Sequence, residues 1–290
     1  FKEFSNLLWG WPMIILLLGT HLYLTIRLKF PQRKIFTAIK LSVSRDKDAD
    51  GDVSQFGALV TSLAATIGTG NIIGVATAVS LGGPGAVFWC WITGVFGIAT
   101  KYGEGLLAVK YRVKGENGQM IGGPMYALEK GLNLKWLAVL FCIFTALAAF
   151  GIGNGVQANS ISMLLDETWN IPVYITGIVL SIGVAMVILF GIKGIAKVCT
   201  AFVPFMAVFY ILGCLYILWV NGAYLGETIS LIMKSAFSPQ AAGGGFVGAT
   251  VIMAARYGIA RGLFSNESGM GSAPIVAAAA CTRNPVRHAL

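Results

Sequence analysis

Two short stretches carry most of the polar chemistry of an otherwise apolar chain. The first is Ala64-Ala65-Thr66-Ile67-Gly68-Thr69-Gly70-Asn71, in the middle of an apolar run from Phe56 to Leu81. The second is Phe264-Ser265-Asn266-Glu267-Ser268-Gly269-Met270-Gly271. Hydroxyls, amides and glycines at mid-membrane depth are costly on a lipid-facing helix. Irregular backbone there is tolerated only where protein buries it or where it lines a cavity. Such a break offers freed carbonyls and hydroxyls to a hard cation, and the N–H groups of a half-helix start to an anion. Glycine supplies the unwinding, because it populates both signs of φ at little steric cost. The first break provides the amides of Thr69, Gly70 and Asn71 with the hydroxyls of Thr66 and Thr69. The second provides Ser265, Asn266, Ser268 and one carboxylate, Glu267. The same small residues also suit close helix packing, and both readings stand at this point.

Glu267 is the sharpest single feature, since an ionisable group inside a membrane is expensive and points to function. Its structural alternative is a pair with Arg256 or Arg261 of the same segment. Gln157 and Asn154, in the polar patch Gly153 to Ser160, either line the same cavity or bond between helices. Lys101 and Glu104 stand at i and i+3, where they pair along a helix as structural or gate residues. Phe264 either closes over a ligand or fills a core. His21 and His288 read as lipid-boundary or loop positions, with no cysteine or carboxylate beside them at metal spacing. Asp46, Asp48, Asp50 and Asp52 with Gly51 resemble part of a calcium loop, but no glutamate closes it, and a solvated loop is the expectation. The five cysteines are scattered singly and read as small core hydrophobes. No nucleophile–base pair, phosphate loop or dinucleotide-binding glycine pattern stands in a fitting context, so the chain reads as no enzyme.

The elements that must position these residues are membrane spans. Of 290 residues 56% are apolar and 11% charged, against about 25% charged in an ordinary soluble domain. The mean hydropathy is +0.76, and several apolar runs are long enough to cross a bilayer. The expectation is an all-α polytopic membrane protein with seven spans. They run from about Leu7 to Leu28, Phe56 to Leu81, Ala86 to Val109, Trp136 to Leu165, Val173 to Ile192, Val198 to Val220, and onward from near Phe246. Lys34 to Leu41 reads as a short helix on the membrane surface, and Leu225 to Phe237 as an amphipathic piece. Gly82-Gly83-Pro84-Gly85 is a sharp turn, and Gly122 to Lys130 a short helix started by Pro124. Trp9, Trp11, Trp136, Trp169 and Trp219 fall near span ends, as interfacial belts do. No cleavable signal peptide is read at the start.

The net charge of +9 does not mark a nucleic-acid partner, because the basic residues cluster beside the spans. All but Lys2, Lys234 and the intramembrane Lys101, Arg256 and Arg261 fall in loops of one side. That asymmetry puts those loops in the cytoplasm and the N-terminus outside, in a cell membrane. The second span then runs outward and the seventh inward. Two interrupted helices, antiparallel and five spans apart, are the pattern of an inverted repeat around a central site. The organisation expected is a peripheral helix over 1–30, a basic loop over 31–55, a five-helix repeat over 56–220 whose first helix, 56–81, is discontinuous, and a connection with the next discontinuous helix over 221–290.

With these motifs placed, the chain resembles the alanine or glycine:cation symporter family, the sodium:alanine symporters. The matching runs are 65–77, 82–89, 99–102, 122–126 and 262–274, and the likeness covers nearly the whole chain. It implies the leucine-transporter-type fold, two inverted five-helix repeats, with the second repeat truncated here. It also implies sodium as the co-transported ion and alanine or glycine as substrate. By that likeness Thr66, Thr69, Gly70, Ser265 and Met270 contact substrate beside Gly68, Asn71, Asn266 and Glu267. Phe264 covers the substrate and Gln157 reaches it. Asn71, Thr66 and Ser265 match one sodium site, and the carbonyls of Ala64 and Ile67 contribute to a second. Three alternatives remain: a proton-coupled carrier with Glu267 as the proton site, a channel, and an assembly scaffold.

Overall fold

The computed structural model describes residues 10–42, 50–238 and 251–290, and these are helical almost throughout. The first turn of the first span, Trp9, Asp46, Asp48 and the start of the seventh span near Phe246 lie outside the described residues. Helix α1, Trp11–Arg27, opens with Pro12 in its first turn, where a missing N–H costs nothing. Helix α2, Ile35–Ser42, falls where a short helix is expected, with Phe36 and Ile39 well exposed on it. Helix α3, Gln55–Thr66, starts at Ser54, whose hydroxyl accepts from the Gly57 amide at 3.0 Å. A π-helical turn, Gly70–Gly74, leads into α4, Val75–Gly82. The turn at Gly83, with φ 73°, admits α5, Gly85–Lys110. Strands β1, Val113–Lys114, and β2, Met120–Ile121, form a small antiparallel hairpin with Val113 opposite Ile121. A turn of helix at Pro124–Tyr126 continues as a π-helical turn, Ala127–Gly131.

The expected fourth span, 136–165, is two helices instead. Helix α6 is Lys135–Ala149 and α7 is Gly155–Trp169. The turn between them contains Gly151 and Gly153, and glycine in a helix interior costs about 0.5–1 kcal/mol relative to alanine. Helix α8, Val173–Ile188, and α9, Gly191–Val220, are joined at Gly191, whose φ is +64°. Lys193 and Lys197 therefore lie in the first turns of α9 rather than in a loop before it. Helix α10, Leu225–Phe237, is the amphipathic piece. Helices α11, Val251–Asn266, α12, Ala273–Ala278, and α13, Pro285–Ala289, complete the described chain. Among the described residues α9 alone is long and apolar enough to cross a bilayer by itself. The segments 55–82 and 11–42 pass the same test as broken pairs.

The chain divides into two compact units, and it passes between them at Phe36/Thr37, Thr69/Gly70, Gly103/Glu104, Pro204/Phe205 and Met270/Gly271. Two of those passages fall in the polar stretches, and a third falls at the proline inside α9. The first unit comprises 10–36, 70–103, 205–238 and 251–270. Its core is Ile14, Ala255, Ile259 and Leu263, with Leu17, Leu18 and Trp89 against it. Small residues let α11 close on its neighbours. A Cβ on Gly258 would stand 2.7 Å from Trp89 Cβ, and one on Gly262 would stand 3.1 Å from Cys90 Cα. Here the small residues do pack helices, as in other membrane bundles. The second unit comprises 37–42, 50–69, 104–204 and 271–290. Val53, Ala58, Ala196, Ala279 and Ala280 form its core, where α3 meets α12.

Candidate functional site

Both polar stretches break their helices. Helix α3 ends at Thr66, and Ile67 turns to extended backbone at φ −88°, ψ 92°. The last four carbonyls of a helix have no partner within it. The Ile67 amide still reaches the Leu63 carbonyl at 2.7 Å, so the ladder is released over Ala64, Ala65 and Thr66. The Thr66 hydroxyl donates back to the Ser62 carbonyl at 3.0 Å. Its oxygen keeps lone pairs that suit a hard cation.

Gly68, in the break itself, is small because of a contact from another helix. A Cβ there would stand 2.7 Å from Gln157 Nε2. Gln157, in the first turn of α7, brings its Oε1 to the Thr69 amide at 3.2 Å and the Thr69 hydroxyl at 2.7 Å. Two donors thus converge on one carbonyl oxygen, the arrangement that would also serve one oxygen of a carboxylate. This cluster lies wholly in the second unit.

The first unit holds the other cluster. After Thr69 the chain runs as the π-helical turn Gly70–Gly74, a form frequent at functional sites. Phe264 lies across Gly70, 3.7 Å from where a Cβ would be. The buried Ser265 hydroxyl donates to Asn71 Oδ1, joining the two polar stretches directly. Helix α11 then ends at Asn266. Glu267, Gly269 and Gly271 take positive φ of 51°, 85° and 81°. Glycine does this freely, whereas a residue with a side chain pays about 1–2 kcal/mol. The Glu267 amide stays on the Leu263 carbonyl at 3.0 Å, and the Met270 amide reaches the Glu267 carbonyl at 3.4 Å. Glycines of α5 receive the break: the Cβ position of Gly94 is 3.6 Å from Asn266 Nδ2, and that of Gly97 is 2.8 Å from Ser268 Oγ. Arg256 lies over the Tyr257 ring, and Arg261 packs near Gly74.

The structure therefore groups Gly68, Thr69 and Gln157 in one unit, and Gly70, Asn71, Phe264 and Ser265 in the other. The chain itself joins the two groups at Thr69–Gly70. Thr66, Ala64 and Ile67 stand at the released end of α3, and Asn266, Glu267 and Met270 follow along the second break. Glu104, expected to pair with Lys101, accepts from the Gly271 amide at 3.2 Å. Asp52 of the calcium-like run accepts from the Met120 amide at 2.7 Å.

His21 is the clearest correction. It is no lipid-boundary residue but fully buried, its Nδ1 2.7 Å from Thr100 Oγ1. Its ring lies near Gly97 and Gly269, at the second break. Nothing local in the sequence marks it, because its partner is on another helix. His288, outside the spans, is held neutral by burial and then by the Arg112 charge, its pKa pushed down to about 4.

Among the described residues no three of His, Cys, Asp and Glu come together as a metal cluster. The oxygens along the breaks are hydroxyls, amides, carbonyls and the carboxylate of Glu267, which suit a hard cation more than zinc or copper. The family model of the sodium:alanine symporter family matches residues 1–290. The chain belongs to the sodium:alanine symporter family. It is 53% identical over 293 residues to the sodium/alanine symporter AgcS of Methanococcus maripaludis, covering 99% of this chain and 64% of AgcS. An uncharacterized transporter of Haemophilus influenzae is 54% identical over 288 residues, with 99% and 63% covered. The amino-acid carrier protein AlsT of Bacillus subtilis is 37% identical over 284 residues, with 98% and 60% covered. The chain thus spans about three fifths of the length of these relatives. Family membership makes it a multi-pass membrane protein, which accounts for the apolar side chains exposed along α8 and α9.

Proposed function

We propose that this chain carries the binding half of a sodium-coupled symporter of a small neutral amino acid, alanine or glycine, working by alternating access in the cell membrane. The observation that carries the proposal is the pair of helix breaks joined by the Ser265–Asn71 hydrogen bond. In this reading the fold is of the leucine-transporter type, with seven spans present and the N-terminus outside. Sodium, carried as substrate, sits among oxygens of Thr66, Asn71 and Ser265, with a second ion near the carbonyls of Ala64 and Ile67. Its charge offsets the cost of unwound carbonyls.

The amino-acid carboxylate takes the donors that begin the second half-helix. The first of those donors, the amide and hydroxyl of Thr69, meet on Gln157 Oε1. A carboxylate oxygen joins that carbonyl at the neighbouring amides of Gly70 and Asn71, with Gln157 still holding Thr69 in place. Gly68 keeps the approach open, Phe264 covers the substrate, and Asn266, Glu267 and Met270 shape the second break around it. The name and 53% identity of AgcS support sodium and alanine. The family match favours a carrier over a channel or scaffold.

The test is uptake of alanine and of glycine into vesicles with and without sodium at fixed pH. Sodium-dependent, saturable uptake lost on Ser265→Ala supports the reading. Uptake that follows a proton gradient and not sodium, and that is lost on Glu267→Gln, would replace it with a proton-coupled carrier.

A further inference from the structure

Arg112, just past the end of α5, bonds to the backbone of two distant segments of the second unit. Its Nη1 donates to the carbonyls of Ala278 at 3.0 Å and Ala280 at 2.7 Å. Its Nη2 donates to those of Thr282 at 2.6 Å and Asp50 at 3.1 Å. The acceptors come from the end of α12, the chain just beyond it, and the segment leading into α3. The same place is stitched by backbone bonds. The amides of Asp52 and Val53 reach the Ala279 carbonyl at 2.8 and 3.1 Å, and the Cys281 amide reaches the Val53 carbonyl at 2.8 Å. Val53 and Ala280 form a parallel bridge, both buried. Gly51 lies so close to Ala280 and Cys281 that no Cβ fits.

The chemistry explains why an arginine stands here. Helix α12 has six residues, too few to hold together alone, and its last carbonyls need donors and favour a cation. A planar fork reaches several carbonyls at once, which a lysine ammonium does not do as well. A cavity of about 360 Å³ beside it is lined by Asp50, Lys110, Arg112 and Arg283. Both terminal nitrogens of Arg112 are directed at carbonyls, so its role there is to hold backbone rather than to await an anion.

We propose that Arg112 is a positioning residue that makes α3 and α12, the halves of the two broken helices on the basic-loop side, move as one body during transport. This rests on the alternating-access reading above. Opening on that side then carries α3 and α12 together, because parting them would break the three backbone bonds between the segments and Arg112's hold on one of them, either its bond to Asp50 or its three to Ala278, Ala280 and Thr282.

The test uses the protein in vesicles with its five native cysteines replaced by serine and Val53→Cys and Ala280→Cys introduced as a pair. Sodium-dependent alanine uptake should be the same before and after the pair is cross-linked. In a second measurement, spin labels on α3 and α12 should hold one distance with and without sodium and alanine. Arg112→Gln should broaden that distance and lower uptake about 2- to 30-fold, the range that coupling through packed networks spans. Uptake abolished by the cross-link and restored by reduction would overturn the proposal, as would a label distance that shifts with sodium and alanine. Absence of sodium-dependent uptake by the unmodified protein would instead sink the symporter reading, and the label distances would still decide the coupling.

Discussion

Replacing Gly68 by alanine should damage the site through Gln157 rather than through the backbone. Gly68 has no left-handed φ, and the alanine Cβ would stand 2.7 Å from Nε2 and 3.4 Å from Cδ of Gln157. The carboxamide must withdraw, and Oε1 then leaves the Thr69 amide and hydroxyl. Two neutral hydrogen bonds at about 0.5–1.5 kcal/mol each amount to about 1–3 kcal/mol. That is a loss of about 5- to 150-fold in apparent affinity. Gln157→Ala removes the same two bonds directly. The double variant Gly68→Ala/Gln157→Ala should therefore be no worse than either single one, with a coupling energy about equal to one single loss. The assay is the KM and initial rate of sodium-dependent alanine uptake for all four proteins. Losses that simply add would refute the reasoning, because Gly68 would then act independently of Gln157.

Three further outcomes follow from particular contacts. Gly258→Ala places a methyl 2.7 Å from Trp89 Cβ, and overpacking of that kind costs about 1–3 kcal/mol. Its melting temperature in detergent should fall, whereas Gly153→Ala, with nothing within 4 Å, should show no such fall. Glu267→Gly and Glu267→Ala both remove the carboxylate, but only glycine relieves the positive φ of 51° worth about 1–2 kcal/mol, so the glycine variant should melt above the alanine one while uptake falls in both. His288 stays neutral in the folded chain down to about pH 4 and titrates near 6.5 when unfolded. The unfolded chain then binds more protons between those values, so stability falls as pH drops from 6.5 toward 4. Melting curves across that range should show the fall, and His288→Gln should flatten it.

How much of this was legible in the sequence depends on how local each cause is. The two breaks could be read because glycines, hydroxyls and amides sit together at mid-depth of apolar runs, and the cost of that is set within a few residues. The turn at Gly83, the short helix 35–42 and the amphipathic helix 225–237 were readable for the same reason. The interruption between α6 and α7 was visible as glycines in a polar patch, but apolar residues on both sides carried the expected span straight through it. Gly258 and Gly262 look unremarkable until α5 is laid against them. The contacts of His21 with Thr100, Gln157 with Thr69, and Arg112 with four carbonyls join residues 62 to 170 apart. Each depends on the packing of whole helices, and no spacing along the chain announces it.

The central claim is that the two breaks build one sodium-dependent site through Asn71 and Ser265. Alanine uptake by Asn71→Ala, measured against sodium concentration, tests it most directly. The account predicts a large rise in the sodium concentration needed for half-maximal uptake, with the protein still present in the membrane. Uptake with an unchanged sodium dependence would contradict it.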